Sequence, residues 1–270
     1  MDIFFHVGLG KTGSTYLQHK FFPKLKGIHY IHHTNYKKSF DIIGRKKHNR
    51  YFVSREFDRQ FLTEIKKFSA AYPNTYPIMV LRRQDSWIAS QYRRFTKNGR
   101  GIYFKEFIDI DNNNGRWDKK ELNFYEKIEQ LEEYFNQKPL VLLYDELRKD
   151  PVNFFKKIAS YTNTTFNPES ISLAPKHKSY SEKQLLHVRR ISRKMLQKVD
   201  EKKMDNTKSG RRMRKITTHL IMYFHWLLPS SKINGEILID PKDLEDIKHK
   251  YAEDWQKCLD YIDQNAPNID

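Results

Sequence analysis

A buried strand that breaks directly into glycines opens the chain. Residues 2–7 (DIFFHV) carry four large apolar side chains in six positions, and residues 8–15 (GLGKTGST) follow without a linker. Such a run suits a strand covered on both faces. Gly8, Gly10 and Gly13 let the backbone approach a ligand closely. Residues 13–25 read as a helix that starts in this loop. Strand, glycine loop and helix in that order turn backbone N–H groups and a helix start toward an anion. The loop departs from the nucleoside-triphosphate pattern G-x-x-x-x-G-K-[ST]. Counted from Gly8, the last glycine is Gly13, and Ser14 and Thr15 follow it; the lysine, Lys11, lies two positions before. The ligand is one that wants a phosphate cradle with its lysine moved forward.

Further strands alternate with helices. Residues 28–32 (IHYIH), 51–54 (YFVS), 76–83 (YPIMVLRR) and 139–147 (PLVLLYDEL) read as strands. Residues 57–71, 85–97 and 123–135 suit helices, and DPVNFFKKIASYT begins another with proline in its first turn. This alternation predicts an α/β fold: a P-loop-like parallel β-sheet flanked by helices, with a mostly helical C-terminal portion. The expected organisation is one domain over 1–270, with an α/β donor-binding core at 1–165 and a helical portion at 166–270. The charged stretch 198–215 is expected to be mobile.

The formal net charge of +17 over 270 residues calls for an anionic partner. The single cysteine, Cys258, excludes an internal disulfide and suits a reducing compartment. The opening MDIFFHVGLG has no basic n-region and reads as a first strand, not a signal peptide. No run approaches the roughly 18 apolar residues of a membrane span. The expected location is cytoplasmic, peripheral to the inner face of a membrane. Residues 212–229, an apolar stretch behind the basic GRRMRK, are the expected contact.

A second constellation is LRRQDSWIASQY, residues 81–92. Arg82 leaves the end of a predicted strand and Ser90 follows eight positions later on a helix. Ligands of α/β sheets bind outside the carboxyl ends of strands, so Arg82 should face the same rim as Lys11. An arginine fork with a serine hydroxyl suits a phosphate monoester. GLGKTGSTYLQ followed by VLRRQDSWIASQY resembles the sulfotransferases that use 3′-phosphoadenosine 5′-phosphosulfate (PAPS) and release 3′-phosphoadenosine 5′-phosphate (PAP). LLYDELRKDPVNFFKKIASY is similar to that family's acid-tipped strand and its following helix. LAPKHKSYSEKQLLHVRRISR is similar to a late segment of its bacterial glycan-modifying branch, with His177 where asparagine is expected. The resemblance covers roughly 1–195. It implies that Gly10, Lys11, Thr12, Gly13, Ser14 and Thr15 hold the 5′-phosphosulfate and that Arg82 and Ser90 hold the 3′-phosphate. Lys176 and Lys178 add charge nearby. No metal is expected. A lysine forward in the loop can stabilise the charge that develops on the departing phosphate oxygen, which answers the displaced lysine.

Attack by a hydroxyl needs a general base. Glu56, just after YFVS, resembles the family's S-x-E segment; His32 and His33 are the alternatives. The basic stretches 35–50 (Lys37, Lys38, Arg45, Lys46, Lys47, Arg50) and 93–100 are expected to line an acidic acceptor groove. The expected acceptor is a bacterial surface polysaccharide or glycolipid. Two other readings compete. In a P-loop kinase or nucleoside triphosphatase, VLLYDE would present Asp145 to Mg²⁺, but no lysine follows Gly13. A basic nucleic-acid-binding protein is supported by charge alone, without a recognisable motif.

Overall fold

The computed structural model describes residues 1–173, 180–196, 208–224, 227–228 and 233–266. Its strands are β1 Asp2–His6, β2 His29–Ile31, β3 Arg50–Ser54, β4 Tyr76–Leu81 and β5 Leu140–Leu143. Its helices are α1 Ser14–Tyr16, α2 Ser39–Gly44, α3 Phe61–Ala71, α4 Gln84–Lys97, α5 Phe104–Phe107, α6 Phe124–Tyr134, α7 Tyr144–Lys149, α8 Pro151–Tyr161, α9 Glu182–Leu196, α10 Lys208–Tyr223, α11 Pro241–Lys250 and α12 Ala252–Gln264.

Contacts divide the chain into two units. The first holds Met1–Arg83, Glu121–Lys176 and Tyr251–Asp270; the second holds Gln84–Lys120 and His177–Lys250. This division runs across the two portions read from the sequence, because α12 belongs with the sheet.

The first unit contains the five-stranded sheet, ordered β2-β3-β1-β4-β5 and parallel throughout. Alternate side chains of a strand face opposite ways. Phe4, Phe52, Ile78, Val80, Leu140 and Leu142 face one side with Leu17, Phe21, Phe22, Phe154, Phe155 and Ile158. Phe5 faces the other, packed on Phe68 of α3 at 4.3 Å and on Tyr36 and Phe57. Two covered faces explain why the strands read as unbroken apolar runs. The chain leaves β1 toward β3 and β2 and later returns to β4 on the other side. The carboxyl end of β1 is therefore a topological switch point, where ligands of such sheets bind. Helix α12 returns to this unit, and the Asp254 carboxylate accepts from the Phe124 and Tyr125 amides at 3.0 and 3.1 Å, capping the start of α6.

Three elements depart most from the sequence expectation. The strand expected over 139–147 ends at Leu143, and Tyr144–Lys149 turns into α7, which drops the buried Leu147 into the core. The helix expected over 57–71 begins at Phe61, because the residues before it bond to the glycine loop. The helix expected over 13–25 breaks into an α turn, a π turn at Leu17–Phe21 and a 3₁₀ turn at Phe22–Lys24 containing Pro23.

In the second unit, α4 packs with α9 and α11. Trp87 and Trp117 meet edge-on at 5.7 Å. Arg193 pairs with Glu106 at 2.7 Å and lies over the Tyr103 ring, and buried Arg189 reaches Glu236 at 2.8 Å. Of the stretch 198–215, residues 198–207 lie outside the described residues, and 208–215 form the start of α10.

Candidate functional site

The glycine loop leaves the carboxyl end of β1 and is stitched to both neighbouring strands. The Val7 amide donates to the Ile78 carbonyl of β4 at 3.0 Å. On the other side, the Arg55 amide donates to the His6 carbonyl at 3.0 Å and the Phe57 amide to the Gly8 carbonyl at 3.1 Å. Within the loop, the buried Thr12 hydroxyl donates to the Leu9 carbonyl at 2.7 Å. Ser14, also buried, lies 3.3 Å from both the Leu9 carbonyl and the Thr12 hydroxyl. Thr12 and Ser14 thus brace the loop from inside, while Thr15 is exposed on the first helical turn.

Two residues of the loop take left-handed backbone: Lys11 with φ 72° and Gly13 with φ 86°. Gly13 tolerates this without a Cβ clash, and a Cβ there would sit 2.6 Å from Leu147 Cδ2 and 3.4 Å from the Tyr144 ring. Lys11 pays the cost of a side chain in that region. Its carbonyl accepts from Arg82 Nη1 at 3.4 Å. Arg82, freed by the end of β4 at Leu81, lies over the Tyr144 ring at 4.9 Å. The sheet thus brings Lys11 and Arg82 onto one loop. Ser90 is half-buried on α4, in the second unit. Lys176 and Lys178 lie outside the described residues, as does His177.

Glu56 is half-buried two residues past the end of β3, beside Phe57, whose amide holds Gly8. Because β3 neighbours β1 with Ser54 opposite His6, Glu56 leaves the strand next to the loop. His32 and His33 follow β2, one strand further out, about 10 Å from β1 at ~4.8 Å per strand. His32 Nδ1 is already held by Thr34, 2.9 Å from its hydroxyl, and caps a 3₁₀ turn. His19 joins them, its ring 5.3 and 5.1 Å from those of His32 and His33, with ligand nitrogens of all three within 4.8 Å. Three imidazoles this close could supply nitrogen ligands to a zinc-class ion.

Several participants were not legible beforehand. The Asp58 carboxylate accepts from the Gly10 amide at 2.8 Å, so the loop already engages an anion from within the chain. Asp58 was hidden inside an expected helix, and Tyr144 inside an expected strand. Beneath the loop, His6 is fully buried, with Nδ1 2.9 Å from the Ser54 hydroxyl, which also accepts from Gln18 at 3.0 Å. Burial lowers its pKa to about 3, so the imidazole is neutral at pH 7.

The basic stretch 35–50 does not line this rim as a whole. Register places Arg50 opposite Asp2, at the amino ends of β3 and β1. Lys46, Lys47 and Arg50 therefore stand at the edge of the sheet opposite the loop. Arg50 is also engaged structurally, pairing with Asp2 at 3.7 Å and donating to the Thr162 and Asn163 carbonyls. The other stretch does line a cavity. Within the second unit, Arg94, Lys97 and Arg100 join Arg214, Lys215 and His219 around a space of about 480 Å³ that also touches Phe95 and Trp117. Among the described residues, no carboxylate lines it. Asp145, the would-be metal ligand of a kinase reading, is exposed in the first turn of α7.

Structural comparison bears on this arrangement. A sulfotransferase from Alicyclobacillus acidocaldarius superposes with a TM-score of 0.51 at 13% identity, over 78% of this chain and 99% of that one. This chain has a sulfotransferase fold. Mouse sulfotransferase SULT7A1 complexed with PAP is more distant, with a TM-score of 0.36 at 16% identity over 79% of this chain and 88% of that one. No protein-family model matches the chain, and no curated protein matches it. In this sulfotransferase fold the glycine loop, Arg82 and Glu56 all issue from carboxyl ends of adjacent parallel strands.

Proposed function

We propose that the protein is a PAPS-dependent sulfotransferase that transfers the sulfuryl group to a hydroxyl of an acidic carbohydrate. The observation that carries this reading is the convergence of Lys11 and Arg82 on one braced glycine loop. The loop fits a phosphosulfate: Gly8 and Gly13 stand where a side chain would collide, and the Gly10 amide already takes a carboxylate as partner. The acceptor oxygen attacks sulfur as the bond from sulfur to the 5′-phosphate oxygen breaks. The hydroxyl proton passes to the Glu56 carboxylate, and PAP departs. The Lys11 ammonium stabilises the negative charge left on the phosphate oxygen. Arg82 holds the 3′-phosphate through charge-assisted bonds. Glu56 is favoured over His32 and His33 as base because it leaves the strand beside the loop, whereas His32 is held in a cap.

The acidic acceptor is supported by the formal charge of +17 and by the basic cavity of the second unit around Arg94, Arg100 and Lys215, with no carboxylate among its described lining residues. Calorimetry tests the donor half: PAP should bind far more tightly than AMP, and equal affinities would sink the 3′-phosphate assignment. Radiolabelled PAPS with a panel of glycans tests the acceptor half. Acidic polysaccharides or glycolipids should be the best acceptors, with Arg100→Ala raising KM at nearly constant kcat. A small neutral phenol as best acceptor would overturn that half alone.

A further inference from the structure

Helix α10 has two apolar faces, and among the described residues of its unit only one of them is packed. Ile221 and Met222 are buried with Val188 of α9, and the Met222 carbonyl accepts from Gln184 at 3.2 Å. On the opposite side, Met213, Ile216, Leu220 and Tyr223 are 60%, 47%, 53% and 75% exposed. At roughly 100° per residue these four fall within about 80° of arc, a continuous stripe. Past the helix end, Phe224 and Leu227 are also exposed, at 42% and 59%. Isolated exposed apolar residues are ordinary, but four aligned on one helix face, with two more exposed just beyond it, mark an interaction surface. Arg212, Lys215 and His219 flank the stripe on one side, and no acidic residue occurs between Lys208 and Tyr223.

We infer that this face lies on an anionic phospholipid surface. An apolar stripe with a basic border, on a chain of formal charge +17, complements acyl chains below and lipid phosphates beside them. The helix lies in the interface plane, since no described helix is long and apolar enough to cross a membrane. The sequence expectation placed the contact at 212–229; residues 225, 226 and 229 lie outside the described residues, and the stripe rests on the others. The inference is independent of the transferase reading, and its test uses no activity.

The full-length protein is co-sedimented with vesicles of phosphatidylcholine alone and of equimolar phosphatidylcholine and phosphatidylglycerol. Binding to the anionic vesicles should be much stronger and should weaken as salt is raised. Ile216→Asp with Leu220→Asp should lower the partition coefficient at least tenfold while leaving the far-UV circular dichroism unchanged, since both side chains face outward. Arg212→Ala should lower binding to anionic vesicles about fivefold and leave the neutral vesicles unaffected. Equal binding to both vesicle types, or a double variant that binds like wild type, overturns the inference. Sedimentation velocity provides the other arm: a dimer at micromolar concentration that the double variant abolishes would assign the face to a second copy of the chain, and would also overturn it.

Discussion

Lys11 sits in the left-handed region at φ 72°, at the apex of the loop whose chemistry it is proposed to perform. For an L-residue that conformation costs about 1–2 kcal/mol, which glycine escapes. Glycine in turn loses about 0.5–1 kcal/mol more backbone entropy on folding than alanine does. The two effects oppose, and the first is larger. Lys11→Gly should therefore be about 0.5–1 kcal/mol more stable than Lys11→Ala. Both substitutions delete the same side chain and whatever it contacts, so their difference isolates the backbone. Urea unfolding of the two variants side by side measures it. Activity should move independently of stability, both variants losing kcat by on the order of 10²–10³ because each lacks the ammonium. If Lys11→Ala proves as stable as Lys11→Gly, the loop is not held left-handed at this residue. Unequal activities would instead show that loop flexibility, not charge, governs turnover.

Three other outcomes follow from the site. Glu56→Gln should lower kcat by roughly 10²–10⁴ and leave PAP affinity nearly intact, measured by single-turnover transfer and calorimetry; normal turnover would move the base to His32 or His33. Asp58→Asn keeps an acceptor for the Gly10 amide while removing a negative charge beside the loop. At about 6 Å and an effective dielectric of about 40–80, that charge opposes a bound phosphate by about 1 kcal/mol, so PAP should bind about fivefold more tightly; weaker binding would mean that the ionised Asp58 is needed to hold the loop. His6 is buried neutral, its folded pKa of about 3 lying below the ordinary 6.5. The unfolded chain therefore binds the extra proton between those values, so the His6 contribution is complete above pH 6.5 and is lost as the pH falls, at up to about 1.4 kcal/mol per unit. Urea titrations across that range, with the His6 imidazole followed by NMR, check it; titration of His6 near 6.5 would refute the burial argument.

The order of elements was legible because local physics determines it. Unbroken apolar runs suit strands covered on both sides, and the glycines after the first of them suit a tight loop. The position of Lys11, two residues before Gly13, was enough to depart from the triphosphate pattern. Boundaries failed where tertiary contacts outbid local periodicity: Asp58 left an expected helix to meet Gly10, and Tyr144 left an expected strand to lie beneath Arg82. The basic stretches show the same limit. On paper, 35–50 and 93–100 are equivalent clusters of charge. Strand direction sends Lys46, Lys47 and Arg50 to the amino edge of the sheet, while helix packing gathers Arg94, Lys97 and Arg100 around a cavity. Charge is a property of the sequence. Which charges share a ligand depends on register and strand order, because residues distant along the chain become neighbours only when the sheet assembles.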